Sequence, residues 1–185
     1  MMNNKRIARE LNRVAKSLVA SDGVADTAGE YRNFTGTIDW LGSYGEVSNA
    51  TFELRDRDGI MWHTGTWKNG FWKEGIWKDG TWEKGTWKYG TWDNGTWKDG
   101  VWDNGIWEYG IWDDGHWYDG TWENGTWKKG TWKNGTWKKG TWHDGTWKDG
   151  TWEKGTWKDG IWYGGAWKKG TDIDGKVHLD SPDNW

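Results

Sequence analysis

Residues 65–100 read GTWKNGFWKEGIWKDGTWEKGTWKYGTWDNGTWKDG, one five-residue unit repeated without interruption. Tryptophan falls at every fifth position from Trp62 to Trp167, which accounts for 22 of the 24 tryptophans in a 185-residue chain. A strict period this short marks a repeat architecture, in which each unit buries its apolar residue only by stacking on its neighbours. The unit is Gly-Thr-Trp followed by two polar residues, as in Gly65-Thr66-Trp67-Lys68-Asn69. Trp and Thr favour strands, and Gly supplies a backbone position tolerant of positive φ. Side chains alternate along a strand, so Gly and Trp share one face and Thr takes the other. Thr fills its slot in 13 of the 22 units, and its replacements are mostly β-branched or apolar (Met61, Phe71, Ile76, Val101, Ile106, Ile111, Ile161 and Ala166, against His116). Burying one aromatic side chain removes about 150–250 Å² from water. The indoles are thus the array's main apolar asset, and Trp67, Trp87, Trp107, Trp127 and Trp147 are expected in the core, with Gly beside them making room.

At these residues the chain resembles the pentapeptide-repeat proteins, over about 60% of its length. In that family the central residue of each unit and a small residue two positions earlier both point inward. Trp67 and its equivalents match the central slot, and Gly65 and its equivalents the small one. The resemblance implies an all-β, right-handed, four-sided β-solenoid of about 20 residues per coil. Two departures are systematic: Trp replaces Leu or Phe, and Thr replaces the usual Asp or Asn before it. Four indoles per layer overfill a square core, and overpacking costs about 1–3 kcal/mol per site.

Two other arrangements fit the period. A flat, two-sided solenoid of ten residues per coil would place each Trp opposite a Gly. It would also stack Lys68, Lys78, Lys88 and Lys98 into one ladder, and like charges directly opposite destabilise a sheet. An antiparallel meander of short hairpins is favoured by Asn69-Gly70, Asn94-Gly95 and Asp99-Gly100. Lys84-Gly85 and Tyr89-Gly90 suit such turns less well, and the meander leaves its whole Trp face without a partner.

Outside the array, residues 1–20 read as a basic amphipathic helix. Ile7, Leu11, Val14 and Leu18 form one stripe, with Lys5, Arg6, Arg9, Arg13 and Lys16 on the other faces. Residues 21–30 are small, polar and acidic, which reads as a linker. Residues 31–61 carry strand-like pieces at Phe34 to Trp40 and Val47 to Leu54, broken at Gly42 to Gly45 and Asp56 to Gly59, and read as an N-terminal β cap. The array occupies 62–170. Residues 171–185 lose the pattern and read as a C-terminal cap or tail, with one last strand at Lys176 to Leu179.

Little in the chain points to chemistry. Net charge is −3, and the stretch from Gly65 to Gly170 holds 16 Lys against 15 Asp and Glu, so neither nucleic-acid binding nor mimicry of a duplex is expected. There is no Cys, hence no thiolate site. No apolar run approaches the ~20 residues of a membrane span, and no secretory signal is recognisable, so a membrane partner is not expected and the Asn-x-Thr triplets reflect repeat composition. His63, His116, His143 and His178 have no metal-binding spacing. In a 20-residue coil Glu83, Asp103, Glu123 and His143 would stack, an arrangement open to a divalent cation but read more simply as a solvated face. Asp172-Ile173-Asp174-Gly175 starts like a calcium loop whose later ligands are missing. No cofactor, metal or enzymatic activity is expected.

The expectation is therefore a non-enzymatic structural or interaction protein, a stiff Trp-cored rod. Residues 1–20 resemble the short basic leader helices of large tailed-bacteriophage proteins. That likeness implies a virion component or decoration, located in the virion or the host cytoplasm. Its protein partner would be gripped through Arg6, Ile7, Leu11, Arg13, Val14 and Leu18. The likeness also makes Ala28-Gly29-Glu30 similar to small-x-Glu sites cut by phage maturation proteases, with Glu30 as the processing residue. A membrane-surface or targeting helix and a helix packed over the solenoid end are the other readings of this segment. An acidic band from Asp93 to Glu123 and a basic one from Lys128 to Lys139 allow self-association through complementary charge. The alternative function is a binding module for a repetitive ligand such as host-surface polysaccharide, if some Trp rows are exposed. Ice binding by the Thr rows fits poorly, because Ile, Val and Phe interrupt them.

Overall fold

The computed structural model describes residues 24–25 (backbone only), 30–55 and 59–185. The helix expected over 1–20, with Arg6, Ile7, Leu11, Arg13, Val14 and Leu18, lies outside the described residues, as does most of the stretch 21–30. Among the described residues the fold is all-β, apart from one 3₁₀ turn at Pro182–Asn184.

The array is a β-solenoid in which each unit contributes a two-residue strand, Thr-Trp or its equivalent. Strands pair in parallel at an interval of fifteen residues: Val101 and Trp102 lie beside Thr86 and Trp87 on one side and beside His116 and Trp117 on the other. Three units therefore close one coil, and the 22 units give about seven coils. The solenoid class holds, and the four-sided cross-section of 20 residues per coil is corrected to a three-sided one of fifteen. The reason is volume. Indole is larger than the side chain of Leu or Phe, and the chain avoids overfilling a square core by dropping one side per coil.

The Trp columns make up the whole interior. Every indole from Trp62 to Trp152 is fully buried, including Trp67, Trp87, Trp107, Trp127 and Trp147. Around a layer they meet edge to face, as Trp102 and Trp107 do with ring centroids 6.0 Å apart and planes at 73°. Between coils they stack nearly parallel, as Trp87 on Trp102 (4.9 Å, 4°) and Trp102 on Trp117 (4.8 Å, 6°). Both geometries suit the aromatic quadrupole, and each is worth about 0.5–1.5 kcal/mol beyond the area buried. Four indole N–H groups (those of Trp117, Trp142, Trp147 and Trp152) donate to a main-chain carbonyl seventeen residues on, at 3.1–3.2 Å. Others, such as those of Trp122, Trp127 and Trp132, are buried without an acceptor.

Main-chain hydrogen bonds tie coil to coil. The Ile106 N–H donates to the Gly90 carbonyl at 2.9 Å and the Glu108 N–H to the Trp92 carbonyl at 2.7 Å, a pattern repeated along the array. At the corners Gly is required twice over. Gly105 has φ +133°, a conformation that side chains rarely adopt, and a Cβ there would lie 2.3 Å from the Gly90 carbonyl oxygen. Where Asp or Asn precedes the Gly, its Oδ1 accepts the Gly N–H, as at Asp99-Gly100 (2.7 Å) and Asn104-Gly105 (2.6 Å). The Asn-Gly and Asp-Gly pairs thus make solenoid corners and not hairpin turns.

Three long antiparallel strands lead into the array, the last of them forming its first coil: β2 (Glu30–Trp40), β3 (Ser43–Arg55) and β4 (Gly59–Trp72). A short strand β1 (Val24–Ala25) pairs with β2 inside the stretch read as linker. The first Trp layer belongs to β4, and β3 runs antiparallel beneath it, with Phe52 opposite Trp62 and Val47 opposite Trp67. Register shifts lie beside Asn33 in β2 and Asn49 in β3, both at positive φ, and let the long strands bend as the solenoid does. Below the first Trp layer the core continues with smaller side chains, as Ile38, Val47, Ala50 and Phe52 are fully buried. Gly45, expected to break the chain, lies within β3, where a Cβ would collide with the Trp67 ring at 2.2 Å.

Replacing Gly105 with Ala adds both strain at positive φ and the clash with Gly90, and is expected to cost about 2–5 kcal/mol. Gly175→Ala, at φ +82° with nothing within 4 Å of the new Cβ, carries the strain alone. Thermal unfolding followed by near-ultraviolet circular dichroism should lower the midpoint much further for Gly105→Ala, and equal midpoints would contradict the corner packing.

Candidate functional site: the charged ladders and the C-terminal cap

With Trp and Gly committed to the core and the corners, three sets of rows face solvent: the Thr slots, the positions just after Trp, and the positions just before Gly. Each row repeats every fifteen residues, at the ~4.8 Å spacing of neighbouring strands.

The positions after Trp are mostly neutralised between coils. One row reads Lys68, Glu83, Lys98, Asp113, Lys128, His143, Lys158, alternating basic and acidic along most of its length. Lys98 pairs with Glu83 at 3.4 Å and Lys128 with Asp113 at 2.7 Å. In the other rows Lys88 pairs with Asp103, Lys138 with Glu123 at 2.8 Å, and Lys168 with Glu153 at 2.8 Å. Lys133 sits 3.6 Å over the Tyr118 ring. Exposed pairs like these add little stability, so their main effect is to keep like charges apart. The row Glu83, Asp103, Glu123, His143, expected from a 20-residue coil, is taken apart by the three-sided one. Each acid in it faces a Lys instead. His143 lies between Lys128 and Lys158, and burial followed by those two charges lowers its pKa. Among the described residues no three His, Asp or Glu side chains are grouped as a metal site.

The positions before Gly do not alternate, and two of the three corners are largely of one sign. One corner carries Glu74, Tyr89, Asn104, Asp119, Asn134 and Asp149. Another carries Tyr109, Asn124, Lys139, Lys154 and Lys169 beside the row Thr126, Thr141, Thr156, Thr171, and together these line an open groove of about 540 Å³. Sequence reasoning saw a basic band from Lys128 to Lys139 but not this row, because its members are fifteen residues apart.

The remaining site residues are scattered. Glu30 opens β2, and its carboxylate accepts two hydrogen bonds from Arg32 at 3.0 Å. His63 Nε2 and Glu53 lie 2.9 Å apart, and hydrogen bonds from Arg55 and then His63 hold the Glu53 carboxyl below its usual range. His116 takes a Thr slot and is exposed.

At the C-terminal end, the Asp172-Ile173-Asp174-Gly175 segment is a turn. The Asp172 Oδ1 accepts the N–H groups of Asp174 (3.0 Å) and Lys176 (2.9 Å), and its Oδ2 is 2.7 Å from His178 Nε2. This shapes a hairpin in which Gly170–Thr171 pairs antiparallel with Val177–His178, inside the strand expected over 176–179. Trp185 packs edge-on against Trp167 (5.5 Å, 79°) and stacks on the His178 ring (4.0 Å). The carboxyl resembling a calcium ligand is thus used in closing the end of the core.

The hydrogen bond to His178 holds the Asp172 carboxyl below its ordinary 3.8. A lowered carboxyl pKa stabilises the fold above the unfolded value, and that contribution is lost as pH falls below it. Acidification below about pH 3.8 is therefore expected to loosen this cap before the middle of the array. Asp172→Asn should speed exchange of the Asp174 and Lys176 amides at neutral pH. Exchange unchanged in that variant would contradict the role given to Asp172.

No protein-family model matches the chain, and neither a curated protein nor a solved structure matches it.

Proposed function

We propose that this pentapeptide-repeat-like chain is a non-enzymatic structural protein, a stiff rod that acts as a spacer or decoration on a larger assembly. The observation that supports the reading is mechanical. Three columns of indole run from the first coil to the last without a gap, and each coil is hydrogen-bonded to the next on every side. About seven coils at ~4.8 Å give an array of about 34 Å. Such a stack resists bending because any tilt between coils separates close-packed rings and lengthens main-chain hydrogen bonds together.

The rod's attachment is assigned to residues 1–20, with Arg6 and Arg13 supplying charge and Ile7, Leu11, Val14 and Leu18 an apolar stripe for a protein partner. The likeness of this segment to leader helices of tailed phages makes a virion the proposed setting. Exposed Trp rows cannot serve a repetitive ligand, since the indoles are inside. The test is co-sedimentation with purified virions of the source phage. Full-length protein is expected to pellet with the particles, and a chain lacking residues 1–20 to remain in the supernatant while keeping the Trp near-ultraviolet signal. Equal recovery of the two chains, or failure of both to pellet, would overturn the reading.

A further inference from the structure

The chain pairs many of the charges stacked after Trp, whereas one corner before Gly carries three bases in succession. Lys139, Lys154 and Lys169 follow one another on successive coils, at ~4.8 Å steps, along a single corner. All three are exposed, and no carboxylate among the described residues forms an ion pair with them. Like charges placed directly opposite on neighbouring strands destabilise a sheet, so the row carries a cost that the rows after Trp mostly avoid. Against this row lies a second one, of hydroxyls, including Thr141 and Thr156, and the two share a groove of about 540 Å³. At its lower end stands the Tyr109 ring, 56% exposed. The C-terminal hairpin, through Val177, borders the other end.

We propose that this groove binds a linear acidic polysaccharide, one carboxylated sugar per coil. The spacing carries the choice. A hexuronic-acid unit is about as long as one coil step, so a chain laid along the row passes one ring per coil. In a two-fold chain the carboxylates on one side recur at every second ring, the separation of Lys139 and Lys169, with Lys154 between them and the Thr hydroxyls serving ring hydroxyls. Tyr109 offers the flat apolar face on which a sugar ring stacks. From Tyr109 to Lys169 there are four coil steps, about 19 Å, room for about four sugars. Single-stranded nucleic acid, the other linear polyanion, is recognised by successive aromatic platforms, and this groove has one ring only. The proposal stands apart from the attachment of residues 1–20, since it concerns the side of the rod and not its end.

Titration calorimetry on the full-length protein at low salt, with oligogalacturonates of two to eight units, tests it. Affinity is expected to rise up to four units and then level off. It should fall at least tenfold in Lys139→Ala/Lys154→Ala/Lys169→Ala and stay unchanged in Lys84→Ala/Lys129→Ala on a different corner. The triple variant should also unfold at a higher temperature, because the repulsion is gone. No binding of the tetramer, equal binding by the triple variant, equal binding of the uncharged maltotetraose, or tighter binding of an eight-residue oligothymidylate would each overturn the proposal. So would dimers of the protein that the triple alanine variant abolishes, since the lysines would then serve a second copy of the chain.

Discussion

Three indoles arranged in a ring, each edge against the next face, constrain everything else in this chain. The ring sets the number of sides, because a fourth indole would not fit at normal packing distance. It sets the period, because three five-residue sides close a coil of fifteen residues. It also makes Gly obligatory at the corners, where main chain passes so close over main chain that a Cβ at Gly105 would fall 2.3 Å from an oxygen. The indole N–H is sacrificed to the same demand. Those of Trp122, Trp127 and Trp132 are buried unpaired, although a buried unsatisfied donor costs about 1–3 kcal/mol. The ring's size and its two stacking geometries are worth more to the core than a satisfied nitrogen.

Much of this was legible in the residues. The five-residue period announced a solenoid, and the sheer apolar area of tryptophan put it inside. The number of sides is where expectation and structure part, though two signals in the residues bear on it. One was indole volume, which already counted against a square core. The other was parity. From Lys78 onward Lys recurs after Trp in alternate units (Lys78, Lys88, Lys98), each followed by an acid in the next (Glu83, Asp93, Asp103). Any coil with an even number of units stacks Lys on Lys, and only an odd number brings Lys88 over Asp103. The like-charge ladder that disfavours the flat coil disfavours the four-sided one too.

The Asp-Gly and Asn-Gly pairs were ambiguous for a different reason. Their physical content is a side-chain oxygen that can cap the next N–H, next to a residue free to take positive φ. Both a hairpin and a solenoid corner use that content, so the dipeptide alone does not separate them. Groupings on the surface were harder still to see. The Lys139, Lys154, Lys169 row and the Asp172, His178, Trp185 cluster exist only once the coil length is known or the tail has folded back over Trp167.

The stacked ion pairs have a consequence for how such a rod can change length. The core repeats with every unit, and the backbone path with every coil. Along the row Lys68, Glu83, Lys98, Asp113, Lys128 the alternating charge repeats only with every second coil. Removing one coil would leave the tryptophan columns intact yet bring Lys onto Lys and acid onto acid at the seam. Removing two would restore the alternation of that row as well. Gain or loss of material is therefore least disruptive in steps of two coils, and the surface, not the core, acts as the ruler.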